Sequence, residues 1–141
     1  MKSSAGEISA ACYEREKIMR NLKLTMSKVV LEVQLLDTPT ASALYDAAPF
    51  TSKAQTWGDE VYFDTPVKCA SEPDARDVLE PGEVAFWLAG NCIAIPFGPT
   101  PVSVGNELRL ASPANIWGHV VGDVKTCSGV SPADNILVER I

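Results

Sequence analysis

"KVVLEVQLLDTPTASALYDAAPF", Lys28–Phe50, changes its periodicity half-way along, and that change decides what kind of fold the chain can build. Val29, Leu31, Val33 and Leu35 alternate with Val30, Glu32, Gln34 and Leu36, the period of a half-buried strand. Thr38 then offers a capping hydroxyl, and Pro39 suits the first helical position, where no amide hydrogen is required. The predicted helix is short, because Pro49 disfavours helical geometry at Ala48.

Beyond that helix the chain reads as strand upon strand. "VAFWLA", "CIAIPF", "NELRLA", "NIWGHVV" and the terminal "NILVERI" are separated by "EPGE" at Glu80–Glu83, "VGNE" at Val104–Glu107 and "VGDV" at Val121–Val124. In "EPGE" the proline and glycine stand where a type II turn wants them, with glycine taking the positive φ. Short strands with this punctuation and one early helix predict a mainly β protein, a closed barrel or a sandwich.

Ahead of Lys28, "ISAACYEREKIMRNL" places Ile8, Ala11, Cys12, Ile18, Met19 and Leu22 at roughly helical spacing. Residues 1–27 are accordingly expected to be an N-terminal extension, helical or disordered, and 28–141 the barrel domain. A native start at Met26 stays open.

Composition narrows the function classes. With 141 residues, 46% hydrophobic and 21% charged, the chain suits one globular domain with a proper core. A net charge of -6 argues against nucleic acid and anionic membrane surfaces, both of which require a basic face. Cys12, Cys69, Cys92 and Cys127 stand far apart with no paired spacing, so neither a zinc site nor a disulfide framework is expected. No stretch approaches the ~20 apolar residues of a membrane span, and a cytoplasmic protein without cofactor or metal, monomeric or homodimeric, is the expectation.

"TWGDEVYF", Thr56–Phe63, poses the functional question. As one strand it puts Val61 and Phe63 on the core face and leaves Asp59 pointing inward, which costs several kcal/mol for an unpaired carboxylate. A bulge at Gly58 would turn Asp59 to solvent and set Glu60 beside Tyr62 on the opposite face. Adjacent strand residues point apart, so Asp59 and Glu60 are not an acid–base dyad.

Three motifs in order, "WGDEVYF", "VLEPGEVAFWLAGNCIAIPFGPTP" and "SPANIWGHVVGD", resemble the cyclophilin-like family of small uncharacterised bacterial and archaeal proteins. The resemblance covers roughly Lys28 to Ile141 and implies an eight-stranded cyclophilin-type β-barrel with one or two short helices closing its ends. It implies no activity. Pro96 departs from the family pattern and removes an amide donor, so its strand is expected to be locally an edge or a bulge. Prolyl isomerases use an arginine in a phenylalanine–histidine–arginine type motif beside a glutamine–glycine–glycine–aspartate strand. Neither motif occurs here, and Arg76, Arg109 and Arg140 have other settings.

No catalytic residue is therefore assigned. His119 reads as a strand residue sharing a face with Asn115, Trp117 and Val121, opposite Ile116 and Val120. The expected function is binding of a small molecule or short peptide in an aromatic-lined groove, with Trp57, Glu60, Tyr62, Trp87, Phe97 and His119 as candidates. Two alternatives stay open: an isomerase with a non-standard site, and a structural partner that pairs through an exposed strand.

Overall fold

The computed structural model describes residues 20–141. Cys12 and the helical pattern before Arg20 lie outside the described residues. Among the described residues ten strands form one sheet: β1 (Asn21–Met26), β2 (Val29–Leu35), β3 (Phe50–Lys53), β4 (Gln55–Thr56), β5 (Glu60–Asp64), β6 (Arg76–Leu79), β7 (Glu83–Trp87), β8 (Cys92–Pro96), β9 (Leu108–Val121) and β10 (Asn135–Arg140). Hydrogen bonding runs in the order β3-β10-β1-β2-β9-β7-β8-β5-β4, with β6 added on β9. Without the two-residue β4, eight strands make up the wall, and β3 comes back into contact with β5. The result is the expected mainly β, nearly closed barrel. The helix α1 (Pro39–Ala47) and a 3₁₀ turn at Val124–Gly129 are its helical elements among the described residues.

The barrel starts earlier than Lys28. Asn21–Met26, assigned above to the extension, is a central strand between β2 and β10. Leu22, Leu24 and Met26 are completely buried. Its alternation of three apolar and three polar residues is a full strand period, but the helical spacing just before it masks that signal. Each such side chain contributes roughly 1.5–3 kcal/mol on burial, so this strand belongs to the domain.

The helix behaves as its sequence requires. Thr38 Oγ1 accepts the Ala41 amide at 3.1 Å, and the chain leaves helical geometry at Ala48, before Pro49. Leu44 and Ala41 face the core. Thr40, also on α1, joins a buried polar cluster: Asn115 Nδ2 donates to Thr40 Oγ1 and to the Ala70 carbonyl at 2.9 Å each, while its Oδ1 accepts the Glu72 amide. The Glu72 carboxylate accepts from the amide and the hydroxyl of Thr40. Every polar atom of Asn115 is thus satisfied, as burial demands.

Strand β9 replaces the two strands expected at "NELRLA" and "NIWGHVV", and two irregularities shape it. Its register with β7 shifts between Val84–Gly118 and Ala85–Ile116, leaving Trp117 as the extra residue. The bulge sends the Trp117 indole into the barrel and Ile116 to the outer face, the reverse of regular alternation. Against β6, Arg76 pairs with Ala114 and Val78 with Arg109, so residues 110–113 stand opposite Asp77 alone. Pro113 cannot donate to a ladder, which suits it to this bowed arm.

The main core fills the barrel with Phe63, Phe86, Trp117, Leu35, Ile93 and Ile95 among its members. A second, smaller apolar cluster lies outside the wall, where Leu79, Leu108 and Leu110 cover Ala85, Ala94 and Ile116. Strands β5, β7 and β8 are therefore covered on both faces, and the site lies under the outer cover.

Candidate functional site

"TWGDEVYF" is a hairpin rather than a bulged strand. β4 and β5 pair Thr56 with Val61 and Gln55 with Tyr62, around a two-residue loop of Gly58 and Asp59. The Trp57 amide donates to the Glu60 carbonyl at 3.0 Å, and Gly58 takes φ +58 at the first loop position, where a type II′ turn places its glycine. The facing argument survives the change. Val61 and Phe63 are inside with no exposure, Asp59 is exposed, and Glu60 and Tyr62 share the outer face.

The hairpin tip is clamped. Asp59 N donates to Pro99 O at 3.0 Å, and the amides of Phe97 and Gly98 donate to Asp59 O at 2.8 and 3.2 Å. A Cβ on Gly58 would lie 2.9 Å from Thr100 Cα, so glycine is required by contact as well as by φ. "GPTPVS" is therefore a clamp. Its buried Thr100 hydroxyl donates to the Arg109 carbonyl at 2.5 Å, tying the hairpin to the arm of β9.

Between hairpin and arm lies a cavity of about 190 Å³, lined by Trp57, Glu60, Tyr62, Trp87, Ala94, Leu110 and Ala111. Glu60 is 6% exposed, and its Oε1 is buried without a hydrogen-bond partner. Burial pushes its carboxyl up from 4.5 to about 7. Trp87 is held on two sides: its Nε1–H donates to Ser112 Oγ at 2.7 Å, and a Cβ on Gly90 would come within 2.6 Å of its ring. The Trp87 ring is thus positioned before anything binds.

Four of the six sequence candidates, Trp57, Glu60, Tyr62 and Trp87, meet here. Phe97 does not, because the β8 phase aims it toward the main core, against which it packs half-buried. His119 does not either: beyond the Trp117 bulge it is exposed, paired with Glu83 and Gln34 across the ladders. Leu110 and Ala111 were missed, since only the bowing of β9 over Asp77 brings them to β5. Pro96 behaves as its missing amide predicts: β7 pairs with β8 only as far as Ala94, leaving Pro96 opposite Glu60 of β5 alone.

Elsewhere the chemistry is spent on structure. Arg76 makes a two-pronged contact with Glu83 at 2.7 and 2.6 Å, holding that carboxyl below its usual range, and Glu83 also accepts the Glu80 amide. Arg109 is shared by Glu107 and Asp77, and Arg140 donates to the carbonyls of Tyr45 and Asp46. Cys69, Cys92 and Cys127 are free, and burial pushes the Cys92 and Cys127 thiols up to about 12, far from a reactive thiolate. Among the described residues no cluster of histidine, cysteine or carboxylates is suited to a metal ion, and no helix is long and apolar enough to cross a membrane. A larger cleft of about 1230 Å³ opens where β3 and β10 approach the end of β5, but Thr, Ser, Lys and Asn side chains dominate it and it holds no buried ionisable group. The cavity at Glu60 is the candidate.

A family model described as cyclophilin-like matches residues 20–139. The solution structure of a hypothetical protein from Archaeoglobus fulgidus is similar over 89% of this chain and 97% of that one, at 35% identity and a TM-score of 0.77. No curated protein matches.

Proposed function

The chain belongs to the cyclophilin-like family, and on that footing we propose that it is a binding module whose outer-face cavity takes a small molecule or one residue of a short peptide, without prolyl isomerase activity. The observation that carries this reading is Glu60, buried with an unpartnered carboxylate oxygen beside three aromatic rings. Apolar walls with a single placed polar group are the usual make-up of a ligand site. Size narrows the ligand: at about 190 Å³ the cavity falls short of the ~300–1,000 Å³ typical of drug-sized ligands, so it fits a head group or one side chain. Against isomerisation stands the engagement of Arg76, Arg109 and Arg140 by carboxylates or carbonyls, with none of them lining the cavity.

Screening small molecules and short peptides by melting temperature and tryptophan emission tests the reading, since Trp57 and Trp87 both line the site. A ligand present at about 100 times its Kd stabilises by ~2.7 kcal/mol. Ala111→Phe, at the exposed rim, should abolish the shift while preserving the fold. Equal binding by that variant, or rapid cis/trans exchange of a prolyl peptide in a protease-free assay, would refute the proposal.

A further inference from the structure

We propose, resting on the reading of this cavity as a ligand site, that its ligand presents an alkylated ammonium group, with the charge against Glu60 and the carbon substituents against Trp57, Tyr62 and Trp87. Four observations converge on it. First, aromatic faces carry negative quadrupole potential and attract cations, tryptophan most strongly, and two of the three rings are tryptophans. Second, among the described residues Glu60 lacks a cation: Asp59, Tyr62 and Asp64 of its own hairpin and Cys92 of β8 bring no positive charge. Glu83 of β7 is occupied by Arg76, and Arg109 of β9 by Glu107 and Asp77.

Third, Ala94, Leu110 and Ala111 complete the lining without a side-chain donor or acceptor, so a sugar or a phosphate would lose its hydrogen bonds to water with little in return. An alkylated ammonium loses far less, because its methyl groups want apolar contact. Fourth, the chain's net charge of -6 favours approach of a cation. A buried carboxylate is costly when alone. A ligand cation offsets that cost and at the same time fills the cavity.

The test titrates the full-length protein with choline and with its uncharged carbon isostere, in which a tert-butyl group replaces trimethylammonium. Tryptophan emission and calorimetry give the affinities. Choline should bind at least tenfold more tightly than the isostere, and Glu60→Gln should remove most of that preference. Choline binding should also weaken between about pH 8 and about pH 5.5, as the Glu60 carboxyl takes up its proton. Equal affinity for the two probes would overturn the ammonium assignment and leave the cavity a ligand site. The same assignment fails if Glu60→Gln binds choline as tightly as the unmodified chain does. Failure of both probes, together with failure of the wider ligand screen, would overturn both readings.

Discussion

On their inner side, strands β5, β7 and β8 present Val61, Phe63, Val84, Phe86, Ile93 and Ile95, every one without exposure. On their outer side the same strands present Glu60, Tyr62, Ala85, Trp87, Cys92 and Ala94. The inner face meets an apolar core that fills the barrel. The outer face meets a cover made of β6 and the bowed arm of β9, which stops short of Glu60 and leaves a cavity. Among the described residues each face holds one buried polar atom without a hydrogen-bond partner, Trp117 Nε1 inside the barrel and Glu60 Oε1 outside it, at a cost of roughly 1–3 kcal/mol each, but only Glu60 borders the cavity. One set of strands thus stabilises through one face and is free to specialise on the other.

The comparison breaks most visibly if the interior is opened. Deleting residues 1–26 removes β1 from between β2 and β10, and the product should fail to give a cooperative unfolding transition by circular dichroism. A truncated chain as stable as the full one would show that the barrel wall does not need this strand. Phe63→Ala, on the inner face, should lower stability by about 3–5 kcal/mol in denaturant titrations, as truncated core aromatics do. A loss as small as that of an outer-face alanine substitution would erase the distinction between the faces.

Glu60→Gln sharpens the comparison through pH. The folded-state pKa of Glu60 is raised, so the neutral form is favoured by folding. Its contribution is complete below about 4.5 and is lost as pH rises to about 7. Over that window the unfolded chain gives up its proton first, so wild-type stability relative to Glu60→Gln should fall by roughly 3 kcal/mol. Parallel midpoint-versus-pH curves for the two proteins would mean that Glu60 is solvated. The smallest effect belongs to Asp59→Asn: its backbone holds the hairpin to Pro99, while its side chain is exposed, so the stability change should stay within ~0.5 kcal/mol.

Alternation in "KVVLEVQ", the Thr38–Pro39 start and Pro49 stop of α1, and the Glu80–Glu83 turn, with Gly82 at φ +89 and Glu83 N bonded to Glu80 O, were all legible because they are local. So was the shared face of Glu60 and Tyr62, since Val61 and Phe63 must go inside whether the preceding residues form a bulge or a hairpin. β1 was hidden by the helical spacing that runs into it. The Trp117 bulge was invisible, because an extra residue in β9 is defined only by its register against β7. That one shift misdirected Asn115, Ile116 and Trp117 together, while His119 and Val120, beyond it, kept the expected faces.

The sequence by itself determined the class of fold, the helix and turn boundaries, and the two faces of β5, because each depends on neighbours a few residues away. Tertiary structure alone decided that "TWGDEVYF" turns back on itself, that Pro99 and Thr100 clamp it, and that Leu110 and Ala111 arch over Glu60. The clamp and the arch depend on contacts between segments distant in the chain, where a single-residue shift in register changes which side chains meet, and the same clamp fixes the tip of the local hairpin that pairs Gln55 with Tyr62.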